Sequence, residues 1–225
     1  MPFAGPPGPV RLEENLTHAG RPAGGPRVAR QSRSQTTREH LVRTAHDLFY
    51  QRGFHAVGLD QILAEVGVTK TTFYNHFSSK EDLIVEVLRW HDRWWRDTFL
   101  AIVRRHGGDT PRGQLMAIFD ALHAVFAGTD YNGCIFINVA VQFPTPHDPA
   151  HIIAAEHKKT MESLVRELAG YAGATDPGAL AQEIALLMEG AFVTAQITGD
   201  PHITDAAKRA LHRAIEHYIP PPVAG

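Results

Sequence analysis

The spacing of hydrophobic positions predicts helices along most of the chain. Apolar residues recur every three or four positions across 41–49, and Gly53 follows them as a helix stop. A short second helix is predicted from about Leu59 to Val66, where Gly67 interrupts the pattern. A third follows over 70–76. Ser78 or Ser79 can then cap a longer fourth helix that runs to about Arg105.

The rest of the chain continues this helical periodicity. Further helices are predicted near 111–127, 148–172, 177–198 and 204–218, separated by segments that contain Gly or Pro. The segment "CIFINVAVQF" at 134–143 is rich in β-branched residues, which also suit a strand. No second segment could pair with such a strand, and its backbone groups would stay unsatisfied, so we interpret it as a buried helix. The predicted fold class is all-α.

Residues 1–35 have a different composition, with six Pro, five Gly and few large apolar side chains. Such a segment buries too little surface to offset its ordering entropy, so we predict a disordered tail. The tail is either without function or an arm in which Arg27, Arg30 and Arg33 reach DNA phosphates or a minor groove. The first interpretation is favoured, because chain termini are commonly loose.

Charge is distributed unevenly along the 225 residues, although the net charge is only −2. Residues 1–35 carry +3, residues 36–80 carry +1, and residues 81–225 carry −6. This distribution is compatible with a protein that contacts phosphates through its N-terminal part only.

The composition also bears on the compartment. Cys134 is the one cysteine, which excludes an internal disulfide and fits a reducing cytoplasm. Because it lies in an apolar run, we predict a buried, inert thiol rather than a redox sensor. The first residues do not have the pattern of a signal peptide, and the run at 134–143 is too short to span a membrane. We expect a soluble, cytoplasmic protein without a membrane partner.

The stretch "GVTKTTFYNHFSSKEDL" at 67–83 carries the most distinctive chemistry. On a helix, Phe73 and Phe77 share one face, while Lys70, Thr71, Tyr74 and Asn75 lie on the other. A short helix after a glycine-containing turn is typical of a helix-turn-helix, whose second helix enters a DNA major groove. Spacing alone leaves two interpretations open, a DNA-binding protein and a helical module with a merely solvated polar face.

Residues 37–83 resemble the DNA-binding domain of the TetR family of transcriptional regulators. The resemblance lies in "AHDLFYQRGFHAVGLDQILAEVGVTKTTFYNHFSSKEDL", with its Gly-Phe turn, its Gly-Val turn and its "FYNHF" motif. It implies DNA contacts by Lys70, Thr71, Thr72, Tyr74, Asn75, His76 and Lys80. Asn75 is expected to contact bases, and Tyr74, His76 and Lys80 to contact phosphates. Two residues depart from the family pattern: Gly58 replaces a capping Ser or Thr, and Leu63 replaces a small Ala.

The resemblance also implies an architecture and a function. A helix-turn-helix domain at 36–82 would precede a ligand-binding and dimerisation domain at 83–225. The protein would be a ligand-responsive regulator, most simply a repressor, that binds a palindromic operator of double-stranded DNA as a homodimer. Activation instead of repression, the operator and the effector all stay open.

Residues in the second domain are candidates for two further roles. Small residues and their neighbours in the helix at 177–198 favour a dimer interface: Leu187, Gly190, Ala191 and Thr194. A mostly apolar cavity for a hydrophobic or amphipathic effector is predicted from Trp94, Phe119, His123, Phe126, Phe136, Asn138, Gln142 and Met161.

Other chemistry is not favoured. His147, Asp148, His151 and His157 could hold a metal in principle, but prolines surround the first of them and histidines are frequent in this chain. No metal site or cofactor is predicted. No nucleophile elbow, phosphate loop or paired catalytic carboxylates are recognisable, so an enzyme ranks behind a regulator and behind a helical small-molecule or protein-binding module without DNA binding.

Overall fold

A computed structural model describes residues 26–220, with side chains from residue 34 onward, and within that range it contains helices and no strand. This confirms the all-α class. The helices are α1 (Pro26–Arg52), α2 (Leu59–Val66), α3 (Lys70–Tyr74), α4 (Lys80–Gly107), α5 (Pro111–Met116), α6 (Ile118–Phe126), α7 (Ile135–Gln142), α8 (Pro149–Tyr171), α9 (Pro177–Thr198) and α10 (Ile203–Tyr218).

Helix α1 begins at Pro26, well before the start predicted at residue 36. Residues 26–35 are therefore helical, and the prediction that they belong to a disordered tail is wrong. The reason is local: the tail's Pro and Gly content ends at Pro26, which is tolerated in a first helical turn, and residues 27–35 contain neither residue. Arg27, Arg30 and Arg33 fall on this helix, outside the described side chains. Residues 1–25 also lie outside the described part of the chain.

The chain divides into two compact units between Val87 and Leu88, slightly after the boundary predicted at residue 82. We call residues 26–87 the N-terminal unit and residues 88–220 the C-terminal unit. Helix α4 begins in the first unit and ends in the second.

The core of the N-terminal unit is built from the predicted apolar faces. Helix α1 buries Leu41, Val42, Ala45, Leu48 and Phe49. Gly53 ends this helix with a positive φ of 85°, which glycine adopts without strain. Phe54 in the following turn then stacks on Phe49, with 5.0 Å between the ring centroids. An ion pair of 3.0 Å between Arg38 and Glu86 joins α1 to the first part of α4.

The C-terminal unit differs from its prediction at one helix. The single helix expected over 111–127 is two helices, because the backbone at Ala117 (φ −85°, ψ −4°) interrupts the regular turn. The segment at 134–143 forms α7, as predicted, and buries Ile135, Phe136 and Val139. Helix α8 packs against α5, α7 and α9, while α10 packs against α5, α6 and α9.

Helix α9 is long and apolar enough to cross a membrane when only length and composition are considered. Its inner face is nevertheless buried in the C-terminal unit, where Leu180, Ile184 and Met188 lie in the core. A core helix passes the same length and composition test. Packing therefore accounts for the apolar side chains of the inner face.

The N-terminus of α2 lacks a side-chain cap. Gly58 occupies the N-cap position with an extended backbone (φ −81°), and a Cβ there would meet no atom within 4 Å. We expect Gly58→Ser to stabilise the N-terminal unit by about 0.5 kcal/mol, because the hydroxyl adds a cap and the unfolded chain loses freedom. Slower amide hydrogen exchange in α2 of the full chain measures this effect.

Gly67→Ser is the matched control, because Gly67 ends α2 with a φ of 75°. A side chain is strained in that conformation by about 1 kcal/mol, so exchange should become faster. Faster exchange in both variants would contradict the interpretation of Gly58 as a missing cap.

Candidate functional site

The turn between α2 and α3 is fixed by two local features. Gly67 adopts a left-handed conformation and donates its N–H to the Leu63 carbonyl at 2.9 Å, which closes α2. Thr69 then caps α3, since its hydroxyl accepts the Thr72 N–H at 3.2 Å. The short helix α3 thus starts from a defined position relative to α2.

The inner face of α3 is anchored as the sequence predicts. Phe73 is fully buried, Phe77 is almost fully buried, and their ring centroids lie 5.5 Å apart. The helix ends at Tyr74 rather than His76, and Asn75 forms its C-cap, with its N–H donated to the Thr71 carbonyl. The chain continues through a turn in which the N–H groups of His76 and Phe77 both bond the Phe73 carbonyl.

The outer face of α3 presents most of the residues predicted to contact DNA. Lys70, Thr71, Tyr74 and Asn75 are exposed, whereas Thr72 and His76 are half-buried. The Thr72 hydroxyl lies 3.0 Å from the Thr69 hydroxyl and so takes part in the cap. The exposed set offers an ammonium group, hydroxyls and an amide, which are groups that hydrogen-bond base edges and phosphates.

Lys70 is held by an acidic neighbour that the sequence analysis did not single out. Its Nζ lies 2.8 Å from Oδ1 of Asp60 in the first turn of α2, and both side chains are well exposed. The hydrogen bond that Lys70 donates to Asp60, followed by the negative charge of Asp60, raises the pKa of Lys70. The pair keeps Lys70 cationic, but in the absence of DNA the Asp60 carboxylate neutralises the charge of Lys70.

Lys80 has a structural partner inside the N-terminal unit. Its Nζ donates to the Phe54 carbonyl at 2.7 Å and lies 5.7 Å from the centroid of the Phe49 ring. Burial lowers the pKa of Lys80. The side chain therefore ties the start of α4 to the turn after α1, a role that sequence spacing did not indicate. Its predicted phosphate contact stays a prediction.

The C-terminal unit contains a chain of aromatic side chains that includes three predicted effector residues. Phe136 lies 5.5 Å from His91, His91 lies 5.2 Å from Trp94, and Trp94 lies 6.3 Å from Trp95. Trp95 then contacts Phe192, which contacts Phe126. We call this set the aromatic cluster: His91, Trp94, Trp95, Phe126, Phe136 and Phe192. Phe119 and Met161, also predicted, are buried in the same unit.

The polar members of the predicted effector site have other partners. Nδ1 of His123 lies 3.2 Å from the Pro201 carbonyl and 3.1 Å from the Thr204 hydroxyl, so His123 links α6 to the start of α10. Asn138 bonds the Asn132 carbonyl and Gln196. Gln142 at the end of α7 is half-buried.

An open groove of about 530 Å³ lies in the same unit, and none of the predicted effector residues lines it. Its walls come from the end of α4 and from α5, α6 and α10, and its residues include His106, Met116, Asp120, Lys208, Arg209 and His212. Lys208 is ion-paired with Asp120 across it. The predicted effector residues and this groove are thus separate features.

Three of the four residues weighed as metal ligands are engaged separately. Nδ1 of His151 lies 2.8 Å from the Phe143 carbonyl, Asp148 caps α8, and His157 pairs with Asp92 on α4. Within residues 34–220 no three His, Cys, Asp or Glu side chains lie close enough to share a metal. Cys134 is buried with a free thiol, and Lys158 donates to its sulfur at 3.6 Å.

Two family profiles match the two units. Residues 41–87 match the bacterial regulatory proteins of the tetR family, and residues 111–211 match the tetracyclin repressor-like C-terminal domain. The chain belongs to the TetR family of transcriptional regulators. The first match covers the last 12 residues of α1 and all of α2 and α3, so the exposed face of α3 lies in the family's DNA-binding domain.

Curated TetR-family relatives span different parts of the chain. The transcriptional activator FasR of Mycolicibacterium smegmatis is 42% identical over 71 residues, which is 32% of each protein. The transcriptional regulator YjdC of Escherichia coli is 24% identical over 176 residues, which cover 76% of this chain and 90% of that protein.

A solved TetR-family structure resembles nearly the whole described chain. The regulator SCO4454 from Streptomyces coelicolor superposes with a TM-score of 0.75 at 29% identity, covering 82% of this chain and 96% of that one. The fold and the relatives are those of transcriptional regulators and not of an enzyme.

The residues predicted for a TetR-type dimer interface differ in exposure, and their role in a dimer stays a prediction. Ala191 is buried inside the C-terminal unit, Leu187 and Thr194 are half-buried, and Gly190 is exposed. The exposed face of α9 instead carries three large apolar side chains beside Gly190: Leu186, Val193 and Ile197.

The Asp60–Lys70 pair generates a prediction for DNA binding. Asp60→Asn releases Lys70, so binding to a duplex should tighten at low salt. The dependence of log K on log salt should steepen by about one, because one more phosphate is neutralised. Fluorescence anisotropy with a labelled duplex across a salt series measures both quantities.

Glu65→Gln is the control, since it removes the same charge from α2 at an exposed position. Equal changes in the two variants would show a general charge effect and would contradict a specific role for the pair.

Proposed function

We propose that this protein is an effector-responsive repressor that binds a palindromic operator as a homodimer through the exposed face of α3. The observation that carries the proposal is the amphipathic character of α3. Buried Phe73 fixes the helix, and Lys70, Thr71 and Asn75 are exposed, on the side that would face a major groove.

The α3 side chains suit distinct tasks in that groove. The Asn75 amide can bond adenine at two points, and the Thr71 methyl can pack on thymine. Lys70 can reach guanine or a phosphate once it leaves Asp60. Tyr74 and His76 supply donors for backbone phosphates, which set position without selecting sequence.

The exposed apolar face of α9 supports a homodimer. Leu186 and Ile197 are each more than 70% exposed, and Val193 lies between them along the helix. Water-exposed apolar side chains aligned on one helix face favour association with a second copy, and a two-fold axis makes the same face serve both subunits. Two subunits can then occupy half-sites about 10 base pairs apart on a palindrome.

Effector binding would act through helix α4. This helix starts directly after the α3 segment and supplies His91, Trp94 and Trp95 to the aromatic cluster. A hydrophobic or amphipathic molecule that prefers one of two α4 positions shifts the population of DNA-binding dimers. A repressor releases the operator when it binds the effector. Tighter operator binding with effector, as for an activator, is the opposite outcome of the same titration. We expect the protein to act in the cytoplasm.

The base contact is testable at Asn75. Asn75→Ala should relax base preference at one position in each half-site, because an amide pair to adenine contributes about 1–3 kcal/mol of discrimination. Selection from a randomised duplex pool, followed by sequencing, measures the preference. Tyr74→Phe is the control, since a lost phosphate contact weakens all sequences alike. An unaltered preference profile in Asn75→Ala would show that α3 does not select sequence through this residue.

The dimer surface is testable at Ile197. Ile197→Glu should convert the dimer to a monomer, because the substitution places a charge in an apolar interface. Sedimentation velocity measures the mass. Tyr171→Glu is the matched control: Tyr171 is equally exposed but lies at the end of α8. A dimer that survives Ile197→Glu, or a monomeric wild type, contradicts the interface.

A further inference from the structure

A polar pair lies in the C-terminal unit beside the aromatic cluster. His157 of α8 is only 4% exposed, and its Nδ1 lies 2.7 Å from Oδ1 of Asp92 on α4. The imidazole ring stacks on Phe136 of the cluster, with 3.8 Å between the ring centroids. Asp92 is held from its other side, since its Oδ2 lies 2.9 Å from Arg96.

The pair has one preferred arrangement of protons. Burial lowers the pKa of His157, and the hydrogen bond to Asp92 only partly opposes this. Burial alone would raise the pKa of Asp92, but the hydrogen bond from His157 and the neighbouring positive charge lower it. At neutral pH the carboxylate is therefore ionised and the imidazole is neutral. Since the carboxylate can only accept, Nδ1 carries the proton and Nε2 presents a lone pair.

Nε2 is the unsatisfied end of this pair. The two ring nitrogens point in different directions, so Nε2 points away from Asp92. In the part of the chain that the structure describes, His157 makes no second hydrogen bond. Every side-chain nitrogen there that is fully shielded from solvent has a hydrogen-bond partner. Nε2 consequently retains accessible surface, although the residue around it is almost entirely buried.

An acceptor with accessible surface can take a hydrogen bond from water or from a bound molecule. An apolar molecule that displaces this water leaves Nε2 without a partner, whereas a molecule with a donor keeps the hydrogen bond. The surroundings favour a flat apolar molecule, because Phe136 covers the imidazole face and His91 and Trp94 follow it in the cluster. Aromatic rings stack and pack edge-to-face well on such walls.

We propose that Nε2 of His157 is the hydrogen-bond acceptor for the effector, and that the effector is an aromatic or similarly flat apolar compound bearing a hydroxyl or N–H donor. The proposal rests on the proposed function, because it assigns the chemistry of the regulator's effector. It adds a specificity-determining residue that was absent from the predicted effector set.

The position of Asp92 gives the contact a route to regulation. A donor bound to Nε2 polarises the imidazole and strengthens the bond from Nδ1 to Asp92. Asp92 and Arg96 belong to α4, which begins beside the recognition segment at Lys80. The effector thus acts on α4 through a single hydrogen-bonded pair instead of through apolar contact alone.

The test compares matched probes on the full-length protein without DNA. 2-Naphthol and indole carry a donor, whereas 2-methoxynaphthalene and N-methylindole have the same rings without one. We expect each donor probe to bind about tenfold more tightly than its methylated partner, as one hydrogen bond to a buried acceptor predicts. Isothermal titration calorimetry gives the affinities.

Variants assign the difference to His157. In His157→Phe the preference for the donor probes should fall below about twofold. His151→Gln is the control on the same helix, because His151 bonds a backbone carbonyl, and it should keep the preference. If His157→Phe does not fold, the double variant His157→Phe with Asp92→Leu replaces the whole pair by apolar side chains and should give the same loss.

Three results would overturn the proposal: equal affinity for donor and methylated probes, no measurable binding of any probe, or a preference that survives the loss of His157. Because no DNA is present, these outcomes are independent of operator binding. A wild-type protein that prefers the donor probes but binds no operator would refute the proposed function and leave the His157 contact standing.

Discussion

The burial of Phe73 is the constraint on which the rest of the structure depends. A helix of five residues has no stability of its own, so α3 exists because one side chain is buried and because Thr69 and the Gly67 turn fix its start. With Phe73 inside, the helical period sends Lys70, Thr71 and Asn75 outward. The surface proposed to face DNA is therefore a consequence of core packing. The Lys80 ammonium, bonded to the Phe54 carbonyl, holds the next helix against the same core.

Helix α4 connects this surface to the chemistry of the C-terminal unit. It starts at Lys80, and further along it carries Asp92 and part of the aromatic cluster. We propose that a conformational preference imposed on these residues reaches Lys80 along the continuous helix. In the proposed dimer, the exposed apolar face of α9 would fix the distance between two recognition helices. One short motif, one long helix and one exposed apolar face thus support the proposed DNA recognition, effector response and symmetry.

Local periodicity predicted the parts of this arrangement that depend on neighbouring residues. Apolar spacing, caps and glycine stops predicted the bounds of α2, α4 and α7 to α10. The same spacing predicted the inward orientation of Phe73 and Phe77. Contacts between residues distant in sequence could not be predicted in this way. Lys80 meets Phe54 across 26 positions, and His157 meets Asp92 across 65. Helix α9 is apolar around most of its circumference, so spacing could not distinguish buried Ala191 from exposed Ile197, and the predicted dimer residues stay a prediction. The start of α1 was missed because the composition of the tail was extended past Pro26, its last proline.

In the proposed complex, two copies of α3 enter successive major grooves on one face of a duplex. Hydroxyl-radical footprinting of the protein on a sequence selected from a random pool tests this arrangement. We expect two equally protected segments, related by the symmetry of the site and with centres about 10 base pairs apart. A single protected segment, or uniform protection that depends only on salt, would contradict it.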